Sequence, residues 1–383
     1  MSRHMVTATM CELSAYAVDM PMARSFGHAA KQRNNAESMV LTYQSAGITA
    51  NGECAPRSYV TGETLDTVAT ELAQVDWRRY RAGLESKDPA DVMQQVLDNG
   101  IGVLLGEPAQ NNTCCALELL ALDVLGKRLQ TSVLAHLAEG QGPHPPRPFS
   151  QVKDSSLAVE DFLANRGPFH VVKVKASSNF CADLQVLQTL RAQLGEHIPI
   201  IFDVNMAWTL EQALDRCPKL REQQVDIVEE PLPARNYCAL ATLQRVTGIE
   251  VMLDESLCSL ADAEQALQHH SCTHFNLRVA KLGGISPALR LARFADAHGI
   301  GYQVGVQVAE CATLIDAGRT LSFLLPKAFT TEAGQSDLFF QVPVAQPSST
   351  VNRLTNRINA PAHAGFGTTV TPVISQFKQT RLI

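Results

Sequence analysis

The sequence predicts an α/β chain in two parts: a closed parallel barrel built from βα units, preceded by a separate α+β domain. From about residue 115 onward, short Val- and Ile-rich runs alternate with helix-like stretches, the pattern of βα units and a parallel sheet. Eight such runs over roughly 220 residues match the size of a (β/α)8-type barrel. The first 115 residues lack that rhythm. A doubly wound open sheet is the competing architecture, but no glycine-rich turn follows the first strand of the repeat to support it.

In the N-terminal part, "ESMVLTYQS" (37–45) and "GITANGECA" (47–55) read as two paired strands, followed by helical stretches around 64–73 and 89–97. A long helix is expected over 116–138, and "GPHPPRPF" (142–149) is a proline-rich connector. The barrel strands are then "FSQVKD" (149–154), "FHVVKVKA" (169–176), "IPIIFDVN" (198–205), "DIVEEP" (226–231), "EVMLDES" (250–256), "HFNLRVAK" (274–281), "GYQVGVQ" (301–307) and "AFTTEA" (328–333). Helices with apolar residues at helical spacing separate them, such as 286–299, which closes on Gly299 as a helix C-cap does. Beyond about residue 345 the βα pattern stops, and the tail is expected to return to the first domain.

With 383 residues, 45% hydrophobic and 18% charged, the chain has the composition of an ordinary globular protein. The net charge of -6 and the lack of any basic block argue against a nucleic-acid partner. No apolar run is long enough to span a bilayer, and the N-terminus lacks the continuous apolar core of a secretory signal, so no membrane partner and a cytoplasmic location are expected. The ten cysteines include no CxxC pair and read as free thiols.

The barrel strands carry an unexpected set of charges. Lys175, Asp203, Glu229, Asp254 and Lys281 fall near the C-terminal ends of successive runs, spaced 28, 26, 25 and 27 residues apart. In a barrel, that rim is where residues from different strands converge into an active site. An Asp at one strand end reads equally well as a turn or N-cap residue; five ionisable residues in register do not. Three carboxylates on neighbouring strands form an all-oxygen donor set suited to a hard divalent cation such as Mg²⁺. Lysines beside such a site are candidate general bases, because lysine is readily tuned by burial and neighbouring charge. Lys173 lies two residues before Lys175 and therefore faces the same side of its strand.

At these residues the sequence resembles the enolase superfamily, specifically its muconate-lactonizing subgroup. The matching motifs are "KVK" (173–175), "DVNMAW" (203–208), "VEEP" (228–231), "LDES" (253–256) and "NLRVAKLGGI" (276–285). The resemblance implies a (β/α)7β modified TIM barrel with an N-terminal α+β capping domain. It places the cap at 1–115, the barrel at 116–345 and a segment returning to the cap at 346–383. It also implies Asp203, Glu229 and Asp254 as Mg²⁺ ligands (Mn²⁺ being the alternative ion), Lys175 and Lys281 as the acid/base pair, Lys173 as an assisting cation and Asn205 behind the ligands. The shared chemistry is abstraction of a proton α to a carboxylate, giving a metal-stabilised enediolate.

Members of this kind act on small-molecule carboxylates and are expected to be homo-oligomers. The paired lysines, and the absence of a His in "GYQVGVQVAE", point to a racemase or epimerase of an amino-acid derivative or dipeptide. A lyase of the same fold (a dehydratase of a hydroxy or amino-hydroxy acid) and a lactonizing cycloisomerase are the alternatives, with a non-catalytic relic binding protein beyond them. "MPMARSFGHAAKQR" (20–33) and "GECAPRSYVTGET" (52–64) resemble the two loops that close over substrate, which makes Arg24, Tyr59 and Thr61 candidate substrate contacts. After the eighth strand the chain has "TTEAGQSDLFF" (330–340) where dipeptide epimerases commonly carry Asp-x-Asp. Glu332 is therefore the expected partner of a substrate ammonium, and Glu310 a second pocket candidate.

Overall fold

The computed structural model of the protein describes residues 11–28, 31–107, 109–138, 142–308, 310–336 and 339–383; the side chains of 24–33 lie outside the description. The chain begins with three antiparallel strands, β1 (Glu12–His28), β2 (Lys31–Ser45) and β3 (Ile48–Cys54). The segment expected as a loop at 20–33 extends the first two strands into a long hairpin, in which Phe26 pairs with Arg33 beyond a register shift at Pro21.

Helices α1 (Ser58–Thr61), α2 (Leu65–Leu72), α3 (Trp77–Leu84), α4 (Pro89–Asn99) and α5 (Gly102–Leu105) follow. Their starts are written locally. Thr64 and Thr67 form a reciprocal capping box at α2, and Asp88 caps α4 ahead of Pro89. Next come α6 (Asn111–Arg128) and α7 (Val133–Leu137). Where one helix was expected over 116–138, the chain breaks: Gln130 takes a positive φ of 54° and the Ser132 hydroxyl accepts from Ala135 N to start a new helix. α6 is buried nearly all round, Glu118 and Asp123 included, because it is enclosed by the first sheet and the barrel. Gly52 permits the close approach of β3, since a side chain there would overlap the Ala116 carbonyl.

The short strand β4 (Arg147–Pro148) leads into the barrel strands β5 (Gln151–Lys153), β6 (Val172–Lys175), β7 (Ile200–Asp203), β8 (Ile227–Glu229), β9 (Glu250–Leu253), β10 (His274–Leu277) and β11 (Gly301–Val304). All seven are parallel and pair in sequence order. Between and after them run α8 (Val159–Arg166), α9 (Phe180–Leu194), α10 (Leu210–Glu222), α11 (Tyr237–Thr247), α12 (Leu260–His269), α13 (Val279–Leu282), α14 (Ile285–His298) and α15 (Thr313–Leu324). The expected eighth strand is reduced to a bridge at Thr331. It pairs with Val304 on one side, and its carbonyl accepts from Ser150 N at 2.8 Å on the other, which joins the two edges of the sheet.

Small strands β12 (Ala345–Gln346), β13 (Val351–Asn352), β14 (Arg357–Ile358) and β15 (Thr369–Val370) precede β16 (Lys378–Arg381), which adds to β1 as the outer strand of the first sheet. All ten cysteines are free. Among the described residues, no helix is long and apolar enough to cross a membrane.

Candidate active site

Every residue of β6 is buried, so its lysines have no solvent to point into. The two-residue period sends both to the inside of the barrel. Lys175 pairs in register with Asp203, and Asp203 with Glu229, which sets three strand-end side chains next to one another. Lys175 Nζ lies 2.5 Å from Asp203 Oδ2 and 3.2 Å from Asn205 Oδ1. Lys173 Nζ reaches Asp203 at 3.0 Å, Glu229 at 2.8 Å and Glu332 at 2.7 Å. Burial disfavours the Lys173 ammonium, but the three carboxylates outweigh it and hold its pKa well above the usual lysine range. The same network acts in the opposite sense on Asp203, where burial is outweighed by Lys173 and Lys175 and the carboxyl is held below its ordinary range.

Glu229 accepts from Asn276 Nδ2 at 2.9 Å. Burial, reinforced by the charge of Asp203, pushes its carboxyl well above the usual range, so this position favours an added positive charge. Its neighbour Glu230 adopts a positive φ of 38° and turns to the next loop. There it accepts from Asp254 N at 2.7 Å and Ser256 N at 3.0 Å, fixing the "DES" turn. Asn205 donates to Glu255 at 3.2 Å and thereby ties the third strand end to the fifth.

The sixth strand departs from expectation. "HFNLRVAK" was taken as a strand ending on Lys281, but β10 stops at Leu277, and Lys281 lies in the helical turn α13. A continuous strand would also have put Lys281 on the face of Phe275 and Leu277, opposite Asn276. From α13 its ammonium reaches back to Asp254, at 2.9 Å from Oδ1 and 2.5 Å from the main-chain oxygen. Gly283 and Gly284 then turn the chain into α14, with φ of 93° and 136°, and a side chain on Gly284 would overlap the Glu118 carboxylate. The charge at the strand end itself is Arg278, which sequence reasoning passed over. It bonds Asp254 Oδ2 and lies 3.8 Å from Glu229. The polar alternation His274, Asn276, Arg278 was the available signal.

Of the remaining candidates, Glu332 joins the site through Lys173. Glu332, expected to meet a substrate ammonium, is engaged by Lys173 and by Val306 N at 3.2 Å. Glu310 is buried and accepts from Gln307 N at 2.7 Å. Thr61 accepts from Asn112 Nδ2 at 3.1 Å, and Tyr59 is exposed on α1. The Arg24 side chain lies outside the described residues. The 52–64 segment, expected as a closing loop, is clamped. Arg57 donates to Val308 O at 2.9 Å and Glu37 O at 2.8 Å, while Glu63 accepts from Asn112 N at 2.8 Å. A cavity of about 300 Å³ lies between α4, α6 and α14, behind α13 and away from the carboxylates.

As they stand, no three Asp, Glu, His or Cys side chains among the described residues converge closely enough to enclose a metal ion; ammonium and guanidinium groups sit on the carboxylate oxygens instead. The donor set nevertheless fits a hard divalent cation. Asp203, Glu229 and Asp254 are fully buried, offer only oxygen and stand on adjacent strand ends.

Comparison with known proteins gives a consistent picture. A model of the family described as enolase C-terminal domain-like matches residues 156–373, more than half of the chain. An L-amino acid-D/L-Glu epimerase of Francisella philomiragia is 25% identical over 331 residues, covering 83% of this chain and 88% of that protein. A chloromuconate cycloisomerase of Pseudomonas sp. is 26% identical over 305 residues, covering 77% and 80%. The crystal structure of a dipeptide epimerase from Cytophaga hutchinsonii, complexed with Mg and D-Ala-L-Val, superposes with a TM-score of 0.79 at 20% identity, covering 98% of this chain and all of that one.

Proposed function

The chain belongs to the enolase C-terminal domain-like family, and from that premise we propose that it is an isomerase that removes the proton α to the carboxylate of a small organic acid, using Lys175 as the base. The observation that carries this reading is the register of Lys175, Asp203 and Glu229 on adjacent strand ends, buried and bonded to one another. In this reading residues 1–115 cap the site, 116–345 form the barrel that bears it, and 346–383 return to the cap.

Asp203, Glu229 and Asp254 would hold Mg²⁺ or Mn²⁺, which when bound supplies Lewis-acid neutralisation of the charge that develops on the substrate carboxylate. The protein's own groups do the rest. Lys173, fixed by three carboxylates, keeps a positive charge beside Lys175. Burial of the site excludes water and strengthens each of these interactions. Lys175 takes the α-proton, and the electron pair of that C–H bond moves onto the carboxylate.

The sequence offers Lys281 as the second acid/base needed to racemise or epimerise an amino-acid derivative. Cycloisomerisation needs no such partner. The named relatives include both kinds. Exchange of the substrate α-hydrogen in D₂O, followed by NMR with Mg²⁺ present, tests the common step. Dipeptides, N-acyl amino acids and unsaturated dicarboxylates form the panel. Lys175→Met is expected to abolish exchange; no exchange by the unmodified protein with any of them overturns the reading.

A further inference from the structure

Arg278 and Lys281 both bond Asp254, but through different oxygens: Arg278 takes Oδ2, and Lys281 takes Oδ1 and the main-chain oxygen. Arg278 directly follows β10 and keeps extended backbone angles of -116° and 127°, so it ends the strand in the alternation begun by Asn276. Its side chain is 6% exposed, and its guanidinium meets Asp254 Oδ2 together with Gln307 Oε1 at 3.4 Å. Burial disfavours its charge, and Asp254, Glu332, Glu255 and Glu229 together outweigh that cost. Bonded to Asp254 and 3.8 Å from Glu229, the guanidinium stands between the fifth and fourth strand ends.

Lys281 is held differently. Its own carbonyl accepts from Asn111 Nδ2 at 2.6 Å, and the same amide donates to Cys258 O at 2.9 Å. The turn that carries Lys281 is therefore tied to the start of α6, and its ammonium approaches Asp254 through the main-chain oxygen as well as the side chain. Lys281 fastens Asp254 in place.

We propose that Arg278, and not Lys281, is the sixth-strand residue that faces bound substrate across from Lys175, where it holds the substrate's developing negative charge as a permanent cation. The proposal rests on the carboxylate chemistry of the preceding subsection and decides its outcome. An arginine guanidinium keeps its protons in proteins, so proton traffic at the substrate α-carbon is one-sided. Lys175 removes the proton and returns it on the same face, or the electron pair expels a β-carboxylate oxygen, with the C–O bond breaking and the pair leaving on that oxygen. A lactone carboxylate thus opens to an unsaturated dicarboxylate, and the reverse closes it; no other reactant is consumed. Inversion at the α-carbon is not expected.

Oxalate, a planar dianion with a charge distribution close to that of a deprotonated α-carbon carboxylate, is the probe. Calorimetry on the full chain with Mg²⁺ is expected to show oxalate binding weakened about tenfold or more by Arg278→Met. Arg278→Lys recovers a large part of that loss, and at saturating Mg²⁺ Lys281→Met, which acts through Asp254, weakens oxalate binding severalfold less than Arg278→Met does. Arg278→Gln gives the same reading if Arg278→Met does not fold. Equal losses in the Arg278 and Lys281 variants, or a loss in Lys281→Met alone, overturn the assignment. So does inversion by the unmodified protein of any substrate whose α-hydrogen it exchanges. Absence of Mg²⁺-dependent oxalate binding by the unmodified protein removes the underlying function instead, and with it the anion assigned to Arg278.

Discussion

The Glu53 carboxylate accepts the backbone amide of Ala312 at 2.8 Å, so an acid of the first sheet closes the N-terminal end of a barrel helix. The amides of Cys311 and Leu314 point at the same carboxylate, each at 2.9 Å. Those amides have no partner within α15, and Glu53 at their end also suits the helix dipole. The two domains are joined here by the needs of a helix terminus. Glu53→Gln keeps one acceptor oxygen and loses the charge. It is expected to lower stability by about 1–3 kcal/mol in urea denaturation, with Glu53→Ala lower still; equal stability of all three proteins would show that the cap contributes nothing.

Arg57 extends that joint to the loop after β11, through Val308 O. Arg57→Met is expected to speed hydrogen exchange in 305–308 and to raise KM severalfold while kcat changes little, since the clamp holds the loop after β11 and touches no reacting atom. A fall in kcat alone would contradict this.

Cation binding has a signature in stability. In the proposed reading the folded protein binds Mg²⁺ and the unfolded chain does not, so a hundredfold excess over its Kd is expected to add roughly 3 kcal/mol, visible as a rise in Tm reversed by EDTA. Asp203→Asn, Glu229→Gln and Asp254→Asn are each expected to remove most of the increment. An unchanged Tm shift in all three variants would place the cation elsewhere.

Glu118 gives a pH dependence away from the site. It is fully buried, and its Oε1 accepts Ser286 N at 2.9 Å at the start of α14. Burial pushes its carboxyl up to about 7 from an ordinary 4.5. A raised folded pKa means that the native state holds the proton more tightly. The associated stability is fully present below about pH 4.5 and is lost as pH rises through about 7, amounting to roughly 3 kcal/mol. Glu118→Gln removes this component. Denaturation midpoints between pH 4.5 and 7.5 should fall less steeply in the variant, and parallel profiles would count against it.

The sequence was most legible where local chemistry and spacing coincide. βα alternation gave the barrel, and the separation of about one βα unit between Lys175, Asp203, Glu229 and Asp254 anticipated their convergence. A strand's two-residue period decided that Lys173 and Lys175 share a face. Capping residues such as Thr64 and Asp88 marked helix starts, because a helix end needs a nearby side-chain acceptor whatever the rest of the chain does. The strand β1 escaped because one of its partners, β16, sits at the far end of the chain and its own residues carry weak alternation.

By itself, then, the chain determined its fold class and the three strand-end carboxylates with two inward lysines, which depend on periodicity that local sequence carries, and its family resemblance through the motifs at those strand ends. Only the tertiary structure decided that β10 stops at Leu277, that Arg278 ends the strand, that Lys281 reaches Asp254 from α13, and that the 52–64 segment is clamped. The physical reason is the same in each case. The end of a strand is set where its hydrogen-bonding neighbour runs out, and a charge is placed by the buried groups that offset its desolvation; in this protein those neighbours come from elements tens to hundreds of residues away.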